Sequence, residues 1–100
     1  MYRYILHEAV KADYDEAYEW YEKKLEGLGE RLLSAIHAKL DEIAKSPEAF
    51  GERSKKGYRE AQVNIFPYSI VYKIYKMERV IFVNSVHHHR KQPRKKYRKR

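Results

Sequence analysis

The sequence predicts a two-layer α+β domain: an N-terminal strand, an antiparallel helical hairpin, then three antiparallel strands forming one sheet with both helices on one face. Three observations carry that prediction. Apolar residues recur at three- and four-residue steps through the first half of the chain. They alternate, or run almost unbroken, through the second half. The links between successive segments are short, which favours antiparallel neighbours.

The elements follow in order. "YRYIL" alternates, so Tyr2–Leu6 reads as the first strand. From Glu8 the period changes, and Val10, Tyr14, Ala17, Tyr18, Tyr21 and Leu25 form one stripe of a helix whose other face carries Asp13, Asp15, Glu16, Glu19 and Glu22. Two glycines in "EGLGE" stop that helix and turn the chain. Leu28, Leu32, Leu33, Ile36, Leu40, Ile43 and Ala44 draw a second stripe, closed by Pro47. Residues 48–57 form a loop that passes from acidic to basic. "YREAQVNI" and "YSIVYKIY" alternate as half-buried strands, whereas "RVIFVNSVH" is apolar enough to be a central strand covered on both sides.

One hundred residues without cysteine make one domain with a modest core and no disulfide or thiolate metal site. No run approaches the roughly 18 apolar residues of a transmembrane helix, and the charged start is unlike a signal peptide; a cytoplasmic protein is expected. The net charge of +8 is unevenly placed. Residues 1–52 hold seven Lys/Arg against twelve Asp/Glu, whereas residues 90–100 hold eight basic residues and no acid. We expect residues 1–93 to form the domain and 94–100 a basic, flexible tail that contacts phosphates or an acidic partner, or simply keeps the chain in solution. The sheet face away from the helices, in the basic half of the chain, is expected to stay partly open.

"VHHHR" at the end of the last strand invites a metal reading. Alternate side chains share a strand face, so His87 and His89 could meet one ion while His88 points away. Two ligands make only an open, weak site, so no metal and no cofactor is expected.

"YREAQVNIFPYSIVYKI", with the later "VHHHRKQP", resembles the RelE/ParE toxin superfamily, and within it the ParE-like, plasmid-stabilisation branch. Arg59, Phe66, Pro67, Tyr68, Ile70 and Tyr72 match the first family run. Val86, His88 and Pro93 match the second, with Arg90 or Lys91 standing for its arginine. The resemblance implies the toxin of a type II toxin–antitoxin pair, held inactive by a cognate antitoxin encoded next door in a hetero-oligomeric complex. It implies either of two activities: a ParE-like block of DNA gyrase, which we prefer, or RelE-like, ribosome-dependent cleavage of messenger RNA. A non-toxic nucleic-acid-binding module is a third reading.

Metal-free RNA cleavage would need a proton-transfer group and fixed positive charge at the phosphate. His88, Arg59 and Arg90 are the catalytic candidates for that case. Lys55, Lys56, Lys91, Arg94, Lys95, Lys96 and Tyr97 are candidates for contact with nucleic acid or another target. Each has a plainer alternative: His88 as the end of a buried strand, Arg59 as a stitch across the sheet, and the lysines as solvated loop charges.

Overall fold

The computed structural model describes residues 1–54, 56–90 and 96–100. Its elements are β1 (Arg3–Leu6), α1 (Val10–Lys24), α2 (Leu28–Lys45), a short 3-10 turn (Pro47–Ala49), β2 (Arg59–Gln62), β3 (Tyr68–Tyr75) and β4 (Val80–His88). The strands form one four-stranded sheet in the order β1-β4-β3-β2. The α+β class, the helical hairpin and the element order are as the sequence predicts.

Two details depart from a purely antiparallel reading. β1 joins β4 in parallel, Arg3 opposite Val80 through Leu6 opposite Val83, so the sheet is mixed. The helical hairpin between them makes this possible, because a parallel neighbour needs a long crossover. β2 is also shorter than its alternating pattern. Ile65 in the β2–β3 link sits at φ 74°, a backbone region that β-branched residues avoid, and the ladder stops before it.

The helix hairpin turns on a glycine and a carboxylate. Gly27 adopts φ 88° before α2, a conformation glycine reaches at little cost. Both oxygens of Glu22 accept backbone N–H groups at the start of α2, from Gly27 at 2.8 Å and Gly29 at 3.0 Å. These donors would otherwise lack helical partners. Gly29 also lets the helices approach: a Cβ there would lie 2.8 Å from the Tyr18 ring and carbonyl.

The core lies between the helices and the sheet. Val10 and Ala17 of α1 and Leu32, Ile36, Leu40 and Ile43 of α2 pack on Ala61, Ile70, Tyr72, Ile81, Val83 and Val86. Burial of these apolar side chains is the main favourable contribution to folding. Tyr72 is fully buried and donates its hydroxyl to the Pro47 carbonyl at 2.6 Å. Burial pushes its phenol up to about 12, so it remains a donor at all ordinary pH.

β4 is central, as its apolar run predicts. Its pairing with β3 shifts by one residue: Tyr72 faces Val83, whereas Val71 faces Ser85. Asn84 is the extra residue of a β-bulge. Upstream of it, Ile81 and Val83 face the helices; downstream, Val86 does so.

Candidate functional site

The sheet face away from the helices carries Tyr58, Glu60, Ser69, Val71, Lys73, Phe82, Ser85 and His87, on the alternation that places their neighbours in the core. It is not open along its length. Residues 96–100 lie across it as a strap, antiparallel in sense to β4. The Ser85 hydroxyl donates to the Lys96 carbonyl at 2.8 Å, and the Asn84 side-chain amide donates to the Arg98 carbonyl. Val71 and Ser85 are buried as a result.

Charge fastens the strap. Lys96 Nζ lies 2.8 Å from Glu60, Arg98 holds Asp13 of α1 through two hydrogen bonds of 2.7 and 3.0 Å, and Arg100 meets Glu78 at 3.1 Å. Asp13 also accepts the Val86 N–H at 3.0 Å, next to the bulge. The Tyr97 ring stacks on Tyr58 with centroids 4.8 Å apart, and its hydroxyl reaches Glu60 at 3.2 Å. The Arg100 guanidinium covers the Tyr75 ring at 4.7 Å.

Lys96 and two groups beside it have perturbed protonation. Burial alone would push the Glu60 carboxyl up, but the Lys96 ammonium, the Tyr97 hydroxyl and His87 together hold it below the usual carboxylate range. The hydrogen bond to Glu60 raises the Lys96 ammonium. Burial, reinforced by Lys96 and His89, holds the His87 imidazole below its ordinary value despite Glu60 at 3.9 Å. His87 Nδ1 is buried without a hydrogen-bond partner. His87 faces Ser69 across the ladder, and the Ser69 hydroxyl lies 2.8 Å from His89 Nε2. Among the described residues no group of three His, Cys, Asp or Glu side chains is arranged to hold a metal.

The sequence-predicted residues separate into distinct places. His88 is on the helix side of the sheet, edge-on to Tyr68 with centroids 5.1 Å apart. Burial, with His89 and Arg90 nearby, lowers its imidazole pKa, and its Nδ1 accepts the Arg90 N–H at 2.9 Å. His88 and Arg90 line a half-open cavity of about 450 Å³ with Trp20, Lys23 and Tyr68. Arg59 is elsewhere: its guanidinium donates to the Phe50 carbonyl and sits 3.5 Å from Glu52, tying β2 to the loop after α2. Lys56 lines a cup of about 290 Å³ with Ser54, Tyr58, Tyr97 and Lys99. Lys96 and Tyr97 belong to the strap. Lys55, Lys91, Arg94 and Lys95 lie outside the described residues, as does the expected domain boundary at Pro93.

Sequence reasoning missed the anchors of the strap, Glu60, Asp13, Glu78 and Asn84. They come from four separate segments, and no spacing links them. His87 and His89 had a signal, since strand alternation already put them together and apart from His88.

Two helices packed on one side of a four-stranded sheet, with a basic C-terminal segment on the other, define a RelE/ParE-type toxin fold. A family model described as the ParE toxin of type II toxin–antitoxin systems, parDE, matches residues 4–93, and the chain belongs to that family. The fold is similar to that of the toxin in the intact RelBE toxin–antitoxin complex of E. coli, at a TM-score of 0.67 and 22% identity over 88% of this chain and 96% of that one. A chromosomal ParDE system from P. aeruginosa gives a TM-score of 0.64 at 17% identity, covering 88% of this chain and 96% of that one. The isolated E. coli RelE toxin gives 0.57 at 21% identity, covering 93% and 89%. At these identities the likeness is one of fold. No curated protein sequence matches the chain.

Proposed function

We propose that this toxin arrests growth by a ParE-like block of DNA gyrase, without itself cutting nucleic acid, and that a cognate antitoxin neutralises it. The observation that carries the reading is the dispersal of the proton-transfer candidates. Arg59 faces Tyr72 and His88 faces Tyr68 on β3, four residues apart and so roughly 13 Å along the strand. Arg59 is moreover committed to the Phe50 carbonyl and Glu52. A cleavage site needs its acid, base and phosphate-binding cation within hydrogen-bond reach of one phosphodiester. The similar RelBE and ParDE structures are toxin–antitoxin systems, which supports an antitoxin as partner here.

The RelE-like alternative has one specific observation in its favour. On the strap face Ser69, His87, His89, Glu60 and Lys96 form a contiguous set, with two imidazoles suited to proton transfer. One experiment separates the two. The purified chain is added to gyrase with supercoiled plasmid, and in parallel to a translation extract. Cleaved plasmid trapped on gyrase, with intact messenger RNA, is the expected result. Cleavage of messenger RNA that is lost on His87→Ala, with gyrase unaffected, would establish the alternative.

A further inference from the structure

The cations of the strap that grip the body are alternate residues, and each is held by a different part of the fold. Lys96 pairs with Glu60 on β2, Arg98 with Asp13 on α1, and Arg100 with Glu78 in the β3–β4 turn. A cation committed to a carboxylate offers little charge to a phosphate. Tyr97 of the strap covers Tyr58, whose ring also receives Lys73 at 5.0 Å. Lys56 and Lys99 flank the same rings and have no carboxylate partner among the described residues. The docked strap therefore combines neutralised cations, two aromatic rings stacked on each other and two uncommitted lysines at its margin.

The Arg100–Glu78 pair is the most exposed of the three and so the weakest, while Lys96–Glu60 and Arg98–Asp13 are largely shielded from solvent. A polyanion that replaces three carboxylates with phosphates also gains from counterion release. The stacked pair of Tyr58 on the sheet face and Tyr97 on the strap favours a ligand with flat bases over an acidic peptide, since bases stack on aromatic side chains whatever their sequence.

We propose that residues 96–100 are an electrostatic latch over the outer sheet face, opened by a single-stranded phosphodiester polyanion. That ligand takes Lys96, Arg98 and Arg100 from Glu60, Asp13 and Glu78 and stacks its bases on the Tyr58 ring so uncovered and on Tyr97, which leaves Tyr58 with the strap. Docked strap and bound strand are then mutually exclusive. The latch does not depend on whether the toxin's target is gyrase or the ribosome.

The chain has no cysteine, so one cysteine appended after Arg100 gives a unique site for a nitroxide. Closed, the latch broadens the amide signals of Tyr75, Glu78 and Phe82. Adding oligo(dT) or oligo(U) restores them; either strand supports the proposal, and the stronger one identifies the source. Failure of both to restore the signals, or restoration by poly-glutamate alone, overturns it. So does equal binding of duplex and single strand, because a duplex offers no free bases to stack. In anisotropy titrations, Glu60→Gln and Asp13→Asn each bind oligo(dT) more tightly by at least about two- to fivefold, the fold-change that losing one exposed ion pair would give. Glu78→Gln, on an exposed turn, serves the same purpose if Asp13→Asn unfolds the chain. Glu48→Gln removes the same charge from a carboxylate that pairs with Lys76. Equal tightening there would reduce the effect to net charge and overturn the latch.

Discussion

At the scale of single residues, buried polar groups set the sharpest expectations. Tyr72→Phe leaves the Pro47 carbonyl without its donor and costs about 1–3 kcal/mol, measurable by urea unfolding. An unchanged midpoint would mean that water replaces the hydroxyl. Gly29→Ala forces a methyl against the Tyr18 ring and backbone and should cost a similar amount, about 1–3 kcal/mol. His87 gives a pH dependence with a definite sign. Its folded pKa is lowered, chiefly by burial, so the folded chain resists a proton that the unfolded chain accepts below about 6.5. Stability is therefore full above that value and falls as pH drops toward 5. The lowered Glu60 carboxyl adds a second loss of the same sign, as pH falls below the ordinary glutamate value of about 4.3. Thermal melts of His87→Phe should be flatter between about pH 7 and 5 than those of the parent; equal slopes would assign the effect to another group.

At the scale of elements, the sequence was most legible where periodicity was strong. The stripe from Val10 to Leu25 predicted α1, observed as Val10–Lys24, and the stripe from Leu28 to Ala44 predicted α2, observed as Leu28–Lys45. The unbroken apolar run of β4 correctly marked a central strand. The same run hid its bulge, because a strand apolar on both sides carries no alternation from which a slipped residue could be read. β2 was overextended because its alternation continues into a link whose backbone leaves the β region at Ile65. Ile65 is 92% exposed, so Ile65→Gly gives up almost no burial while relieving the left-handed strain. It should raise stability by about 1 kcal/mol, and a lower melting temperature would refute the strain. Of the site, His88 and Arg59 were legible as positions but not as separate environments. The strap was illegible as structure, since a run of cations broken only by Tyr97 looks solvated until its acidic partners are placed by the fold.

At the scale of the whole molecule, the acidic first half and basic end of the chain meet through the strap. Asp13 and Arg98 are 85 residues apart in sequence. Contacts of this kind are screened by salt. Raising NaCl from about 0.05 to 0.5 M should lower the melting temperature by several degrees, given about 4–8 °C per kcal/mol for a domain this size. The triple variant Glu60→Gln, Asp13→Asn, Glu78→Gln should lose that salt sensitivity. If both proteins respond alike, the strap pairs contribute nothing measurable. The largest consequence for the molecule comes from its smallest irregularity. Asn84 acts on the sheet as a one-letter insertion acts on a reading frame: everything after it is read on the opposite side. Were the strand paired without the bulge, Asn84 taking an ordinary place in the ladder, Ser85 and His87 would turn into the helix layer while Val86 and His88 came to lie beneath the strap. Three histidines in a row look redundant in the sequence, yet the phase set at Asn84 decides which of them meets Glu60 and which meets Tyr68.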